Sequence, residues 1–331
     1  MKKMMLLMRL LRKNDMKILK VILMVCCVTA VFSGCKQDDN EKMDHQSSSM
    51  SFTAEYGATM ENGENETTER ERYISKDATE EYNAKASPVD DFQYIIENGK
   101  AVITKYIGTE VDVVIPSVIL GKEVTSIDKE AFSPFGEEGG SPLELIKSIK
   151  IPDTVVYIGN GAFTQCSSLE YIEFPDSVLE TGEYLFTFCN SLKKVKFSDQ
   201  MKTIEENMLF GVSSLESVIL PSGLETIEKY AFGETGIKEI IFPSSIESIG
   251  RGAFVRCINL QTISIPEGCI EIGKDAFREC TNVKTVTLPN SLKSIGDFAF
   301  FNCSNLEIIN IPNSIENIGS NVFSGCGNIK H

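Results

Sequence analysis

The chain has 331 residues, 42% hydrophobic and 24% charged, so it is neither wholly disordered nor collagen-like. Its 32 Lys and Arg against 47 Asp and Glu leave a net charge of −15. That argues against a nucleic-acid partner, because the phosphate backbone demands a basic face. Only two histidines are present, His45 in a polar stretch and His331 at the last position, which removes nearly all His-based catalysis and most zinc sites.

In chain order, the first element reads as an export signal. Residues 1–35 carry Lys2, Lys3, Arg9, Arg12, Lys13, Lys17 and Lys20 against Asp15. They lead into Val21–Phe32 (VILMVCCVTAVF), an uncharged, mostly apolar run of h-region length. The run is too short to span a bilayer, which takes about 20 residues. A second Met-Lys pair at Met16-Lys17 leaves the true start open between Met1 and Met16. Val31-Phe32-Ser33-Gly34-Cys35 resembles the bacterial lipobox, with Phe32 where Leu is usual. The resemblance implies cleavage before Cys35 and lipidation of Cys35, hence a membrane anchor of several acyl chains. An ordinary signal peptide followed by a chance cysteine is the alternative. Lys36-Gln37-Asp38-Asp39-Asn40-Glu41 resembles the surface-export signal of Bacteroidetes lipoproteins, which implies a lipid-anchored protein of the outer membrane that faces outward. The plainer reading is the first acidic stretch of a tether.

Residues 36–87 hold 13 acidic and 6 basic side chains with few branched aliphatics. Such a segment cannot bury enough apolar surface to offset its chain entropy, and is expected to be a disordered acidic tether. Asp38, Asp39 and Glu41 lack the glycine and the roughly 12-residue spacing of a calcium loop.

Residues 88–331 form the folded domain in this reading. Within 88–114, Phe92–Val114 reads as a hairpin turned at Asn98-Gly99. Beyond it a proline recurs after an apolar residue, at Pro152, Pro175, Pro221, Pro243, Pro266, Pro289 and Pro312, with Ser198 in the vacant slot. The steps are 23 residues except for one of 22, from Pro221 to Pro243. Cys166, Cys189, Val212, Cys257, Cys280, Cys303 and Cys326 follow the same period, as do Ala162-Phe163, Ala231-Phe232, Ala253-Phe254, Ala276-Phe277 and Ala299-Phe300. Many independent positions with one period identify a repeat array. The first unit, Ile115-Pro116, stands 36 residues before Pro152, with the extra residues at Val118–Val124 and around Ser133–Leu143. That makes about nine units, the last ending inside a repeat at His331 with no evident cap.

One repeat shows the physics. Ile263 and Ile265 alternate with polar residues as in a half-buried strand, and Pro266 ends it for want of an N–H. Ile270 and Ile272 are expected to point inward, and Gly273 to supply an unusual backbone angle. Lys274–Cys280 suits a short helix or 3-10 turn with Ala276, Phe277 and Cys280 inside. A single coil buries little, but stacked coils share one core and pair their strands in parallel.

Read along the chain, the pattern is Leu-x-x-Ile-x-Ile-Pro-x-Ser-Leu-x-x-Ile-Gly-x-x-Ala-Phe-x-x-Cys-x-x, and Leu306 to Asn328 follows it with Val322 in place of Ala. It resembles the BspA-like, treponemal-type leucine-rich repeat over about residues 92–331. The resemblance implies an α/β repeat solenoid. It would be a leucine-rich-repeat right-handed superhelix with a parallel β-sheet on one face and short helical or 3-10 turns on the other. It also implies that 88–114 is the N-terminal cap.

The seven domain cysteines, Cys269 included, contain no CxxC pair, so neither a metal nor any other cofactor is expected. A disulfide ladder is one reading; buried thiols at a core position are the other, favoured by Val212 in the same slot. No base accompanies a Ser or Cys nucleophile, and Glu170, Glu173, Glu205 and Glu206 read as solvated face residues; no catalytic residue is assigned. Strand alternation turns outward Ser148 and Lys150, Tyr171 and Glu173, Lys194 and Lys196, Ser217 and Ile219, Glu239 and Ile241, Thr262 and Ser264, Thr285 and Thr287, Ile308 and Asn310. Ile219 and Ile241, beside Lys194 and Lys196, form an apolar patch rimmed by charge, as a protein-binding face requires. β-Branched residues also favour strands for their own sake. Asp153-Thr154-Val155 and Asp176-Ser177-Val178 resemble the Bacteroidetes O-glycosylation motif.

The expected function is non-catalytic binding of a host or bacterial surface protein through the strand face, in the manner of the adhesins that BspA-like proteins are described as. A glycan-binding accessory protein of a nutrient-uptake system is the first alternative, weakened by Tyr171 being the only aromatic on that face. A structural envelope component is the second.

Overall fold

The computed structural model describes residues 85–134, 141–327 and 329. The signal-like stretch, Cys35, all of the acidic tether before Lys85, and residues 135–140 of the FGEEGGSP loop lie outside the described residues. The described residues belong to the compact unit Ala84–His331, a β-solenoid of about nine coils.

The unit opens on the hairpin. Phe92–Glu97 and Lys100–Tyr106 pair antiparallel around Asn98 and Gly99, whose φ values of 49° and 76° are those an Asn-Gly turn supplies. The second strand then pairs in parallel with Lys122–Ile127, which joins the hairpin to the solenoid. The extra residues noted at Val118–Val124 form a smaller hairpin, Val118–Ile119 against the start of that same strand.

Each later coil except that of Ile237–Phe242 contributes to two parallel ladders. The first takes the apolar-Pro segment: Asp112–Val114, Ser148–Lys150, Tyr171–Glu173, Lys194–Lys196 and Ser217–Ile219 pair in register, and Thr262–Ser264, Thr285–Thr287 and Ile308–Ile309 form a separate sheet. The second takes the Ile-Gly segment. It runs from Lys122–Ile127 through Tyr157–Ile158 to Glu180–Thr181, then resumes at Thr203–Ile204 and continues to Asn317–Ile318. Both ladders are therefore interrupted, at different coils.

The third side of the coil is not helical. Among the described residues the 3-10 segments are Val89–Asp91 and Pro142–Leu145, neither of them in an Ala-Phe turn. The expected helical turns give way to turns punctuated by left-handed residues. Asp275 and Glu279 (φ 57° and 60°) flank Ala276-Phe277, and Phe298 and Asn302 (φ 57° and 59°) flank Ala299-Phe300. A left-handed residue ends a right-handed helix, so two of them four residues apart leave no room for one. Gly273 is a second correction. It is absent from the positive-φ set, and its requirement is steric: a Cβ there would stand 2.8 Å from the Arg251 nitrogen and the Gly250 carbonyl carbon. Ile270 is a third, being 50% exposed while Cys269 and Ile272 fill the core.

The aromatic row is continuous on either side of one coil. Ring centroids lie 5.6 Å apart from Phe132 to Phe163 and from Phe163 to Phe186, and 5.1, 5.2 and 5.4 Å apart along Phe232, Phe254, Phe277 and Phe300. Between them the slot holds Leu209, also buried. The cysteines form a second internal column and are free thiols. Cys269 aside, whose thiol donates to the Glu271 carbonyl, each donates to the phenylalanine carbonyl of the coil before it: Cys189 to Phe163 at 3.1 Å, Cys257 to Phe232 at 3.0 Å, Cys280 to Phe254 at 3.1 Å. Burial pushes the Cys166 and Cys257 thiols up to about 12, so they stay protonated at neutral pH.

Candidate functional site

The first ladder presents the outward side chains, with Ile149, Ile172, Val195, Ile263 and Val286 buried between them. At its centre the polar groups are already joined to one another. The Tyr171 hydroxyl donates to Glu173 at 2.7 Å, Lys196 pairs with the other Glu173 oxygen, and Lys194 stands 5.8 Å from the Tyr171 ring centroid. Burial works against the Glu173 charge, but the hydrogen bonds from Lys196 and Tyr171 win and hold its carboxyl below the usual range. Burial and the bond to Glu173 raise the Tyr171 phenol. Ser148 donates to Asp112 at 2.6 Å. The result is an ordered polar strip, with an aromatic ring in it, running across four coils from Asp112 through Ser148 and Tyr171 to Lys194.

Further along, the face departs from regular alternation. Glu239 and Ile241 lie outside the ladder, because Ile237–Phe242 makes no strand. The cause is the 22-residue step. Thr235 takes the cysteine slot and Ile237 the leucine slot, one residue nearer than Cys257 and Leu260. Only glycine fits between them: a Cβ on Gly236 would meet the Ser213 carbonyl oxygen at 2.1 Å. After this shortened corner the segment keeps the inter-coil bond from the Gln261 N–H to the Lys238 carbonyl at 3.2 Å but forms no strand. Ile241 is 57% exposed beside this gap, whereas Ile219 is only half-exposed.

Thr262, Ser264, Thr285, Thr287 and Ile308 line the second sheet with their side chains at least partly exposed. Asn310 does something the alternation does not reveal. Its amide oxygen accepts from the Leu288 N–H and its amide nitrogen donates to the Leu288 carbonyl, both at 2.8 Å, completing the ladder with a side chain.

The carboxylates noted in the sequence separate into two kinds. Glu170, Glu173 and Glu206 pair with Lys193, Lys196 and Lys229, each on the next coil. Glu205 has no ion pair among the described residues, and burial followed by repulsion from Glu228, Glu183 and Glu180 raises its carboxyl. Among the described residues no group of three or more His, Cys, Asp or Glu is placed to hold a metal ion. Ser177 of the second glycosylation-like triplet donates to the Val155 carbonyl at 2.7 Å.

The sequence pattern of the BspA type leucine-rich repeat region matches residues 143–261 and 247–331 in 6 copies. Among solved structures, the chain is 26% identical to a leucine-rich repeat protein of T. pallidum, covering 74% of this chain and 91% of that one with a TM-score of 0.39. It is also 26% identical to a leucine-rich cell surface protein of Faecalibacterium prausnitzii, covering 74% and 81% with a TM-score of 0.46. Against the pneumococcal vaccine antigen PcpA it is 21% identical, covering 71% and 78% with a TM-score of 0.41. No curated protein matches the chain.

Proposed function

The chain belongs to the BspA-type leucine-rich-repeat family, and we propose on that premise that it is a non-catalytic binding protein whose partner is another protein, held on the face of the first ladder. The observation that carries this reading is the strip Lys194, Tyr171, Glu173 and Lys196, ending at half-exposed Ile219 and exposed Ile241. An aromatic ring, fixed charges and exposed aliphatics on one rigid surface are what a protein interface uses. Rigidity lowers the ordering cost of binding. The remaining outward positions, Ser148, Lys150, Ser217, Glu239, Thr262, Ser264, Thr285, Thr287, Ile308 and Asn310, form the rim of this reading. Export, lipidation at Cys35 and display on the outer surface of the cell belong to the same proposal, and the acidic tether would hold the solenoid clear of the membrane.

Capture of a panel of matrix proteins and glycans by the purified chain tests the reading. The combined variant Tyr171→Ala, Lys194→Glu, Ile241→Ser is expected to lose capture while its thermal midpoint stays close to that of the parent, since all three side chains are at least partly exposed. Undiminished protein capture by that variant removes the strand face from consideration. Capture of glycans alone favours the nutrient-uptake reading.

A further inference from the structure

Along one margin of the strand face, the residue just before each first-ladder segment alternates in charge. In chain order these residues are Lys147, Glu170, Lys193, Glu216, Lys238, Gln261, Lys284 and Glu307, at steps of 23 residues except for the 22 from Glu216 to Lys238. Backbone bonds stack them into a column. The N–H groups of Glu170, Lys193 and Glu216 donate to the carbonyls of Lys147, Glu170 and Lys193 at 3.1, 2.9 and 2.8 Å. Those of Gln261, Lys284 and Glu307 donate to Lys238, Gln261 and Lys284 at 3.2, 2.9 and 2.9 Å. All eight side chains are at least partly exposed. Among the described residues no such bond joins Lys238 to Glu216, so two bonded runs of four meet at one break.

Apolar exposure gathers at the same break. Val218 is partly exposed, whereas Ile149, Ile172, Val195, Ile263 and Val286 of its column are buried. Ile219 is half-exposed and Ile241 is 57% exposed. Away from the break the same outward column turns polar, with Lys196 and Glu173 on one side and Ser264 and Thr287 on the other. An apolar centre with a polar margin is the anatomy of a protein interface.

Alternation has one use within the chain: neighbours of opposite sign attract, and Lys193 and Glu170 stand 4.0 Å apart. Exposed pairs of this kind add little to stability. It has a second consequence. Counted along the column, the lysines take odd places and the glutamates even ones. Turned end for end about the break, the column sets every odd place against an even one. Lys147 then meets Glu307, Glu170 meets Lys284, Lys193 meets Gln261 and Glu216 meets Lys238. The same rotation sets Ile219 against Ile241. A slip of one coil would put lysine on lysine. The centre of this complementarity coincides with the exposed aliphatics, and stacking within one chain requires no such coincidence. The match also removes like-charge contacts from the column of a chain whose net charge of −15 otherwise keeps its copies apart.

We propose that the strand face takes a second copy of this chain, antiparallel to the first and related to it by a two-fold axis at the break. The inference rests on the strand-face reading and names the partner. A two-fold interface is isologous, so each of these contacts is made twice. A uniformly acidic or basic partner fits less well, because the alternation puts a repelling charge beside every attracting one. Eight coils at about 4.8 Å give a ribbon about 38 Å long, and three residues across make it about 10 Å wide. That is small for a permanent interface and suits a transient dimer. The antiparallel register carries the two N-terminal hairpins to opposite ends. The tethers proposed there would leave in opposite directions, so two copies can bridge two facing cell surfaces.

Sedimentation of the purified chain from about 1 to about 500 μM reads the pairing, and a reversible dimer that weakens with salt is expected within that range. Glu216→Lys and Lys238→Glu each bring like charges together twice at the axis, and each should weaken the dimer by about tenfold or more. Mixed one to one, the two variants should pair with each other as tightly as the parent does, since each supplies the charge that the other lacks. No effect confined to one chain can imitate that rescue. Ile241→Ser should weaken the dimer by about tenfold. Glu247→Lys, an exposed position just before the second ladder, should leave it unchanged. A parent that stays monomeric throughout overturns the pairing, as do single variants that dimerise like the parent or a mixture that does not recover. Binding of polyglutamate by a monomeric parent overturns it in favour of an acidic partner. A monomeric parent that captures a panel protein through the strand face removes the second copy and leaves the first reading standing.

Discussion

The coils from Pro243 to Gly325 and those from Leu179 to Phe242 share one period and differ in almost everything that disturbs it. In the later stretch each Ile-Gly segment bonds to its neighbour, each Phe ring stacks on the next, and the thiols of Cys257, Cys280 and Cys303 meet Phe carbonyls. In the earlier stretch Leu209 interrupts the ring row, Val212 and Thr235 replace cysteine, and both ladders break. The same stretch holds Ile241, Tyr184, Phe188 and the unpaired Glu205. Regular coils stabilise the stack, and irregular ones release backbone and side chains to the surface. A solenoid tolerates this because each coil answers only to its neighbours.

The largest effect should come from the regular stretch. Phe277→Ala removes a fully buried ring stacked on both sides and should cost about 3–5 kcal/mol in urea-induced unfolding. Leu209→Ala, at the break in the row, is expected to cost less. Equal costs would mean that the ring row adds nothing beyond burial.

Gly236→Ala addresses the shortened corner. A methyl group 2.1 Å from the Ser213 oxygen must push the two coils apart, at about 1–3 kcal/mol. An unchanged unfolding midpoint would show that the corner is not held shut by this contact.

Thr181→Ile restores the isoleucine of its column, as in Ile158 and Ile204, where the second ladder breaks, and should stabilise by about 1 kcal/mol, since it removes an orphaned hydroxyl and adds apolar burial. Hydrogen exchange of the Glu205 amide should slow in that variant if Thr181 holds the ladder open. A gain in stability with exchange unchanged would place the cause at Glu205 instead.

The smallest effect at neutral pH concerns the thiols. The Cys257 pKa rises from an ordinary 9.0 to about 12 on folding, because burial disfavours the thiolate. The folded state thus favours the proton, so this contribution is complete below pH 9 and is lost as pH climbs from 9 towards 12. The urea midpoint of the parent should fall across that window more steeply than that of Cys257→Ala. Parallel curves would mean that the thiol titrates alike in both states.

Much of this was legible in the residues alone. The proline period located the first-ladder segments, Asn98-Gly99 located the hairpin turn, and the Ala-Phe and Cys columns located the core. The face was legible as an alternation of sides, so Lys194 and Tyr171 were found as outward residues. The side-chain pairing of Asn310 with Leu288 was not, because an outward Asn looks the same whether it meets solvent or a neighbouring backbone. Nor were the left-handed backbones of Tyr184, Tyr230 and Phe298, because an aromatic at that slot looks in sequence like any other exposed ring.

Spacing and alternation are properties of one coil, so a linear pattern carries the repeat length, the inward columns and the place of each turn. The shape of the third side and the loss of pairing at Thr181 and Glu239 arise between coils, some 23 residues apart. There a left-handed Asp, Glu or Tyr bears no compositional mark, and a single shortened corner coincides with the loss of a whole strand. Contacts at that distance depend on how two backbones fit against each other, and no window along one of them contains that fit.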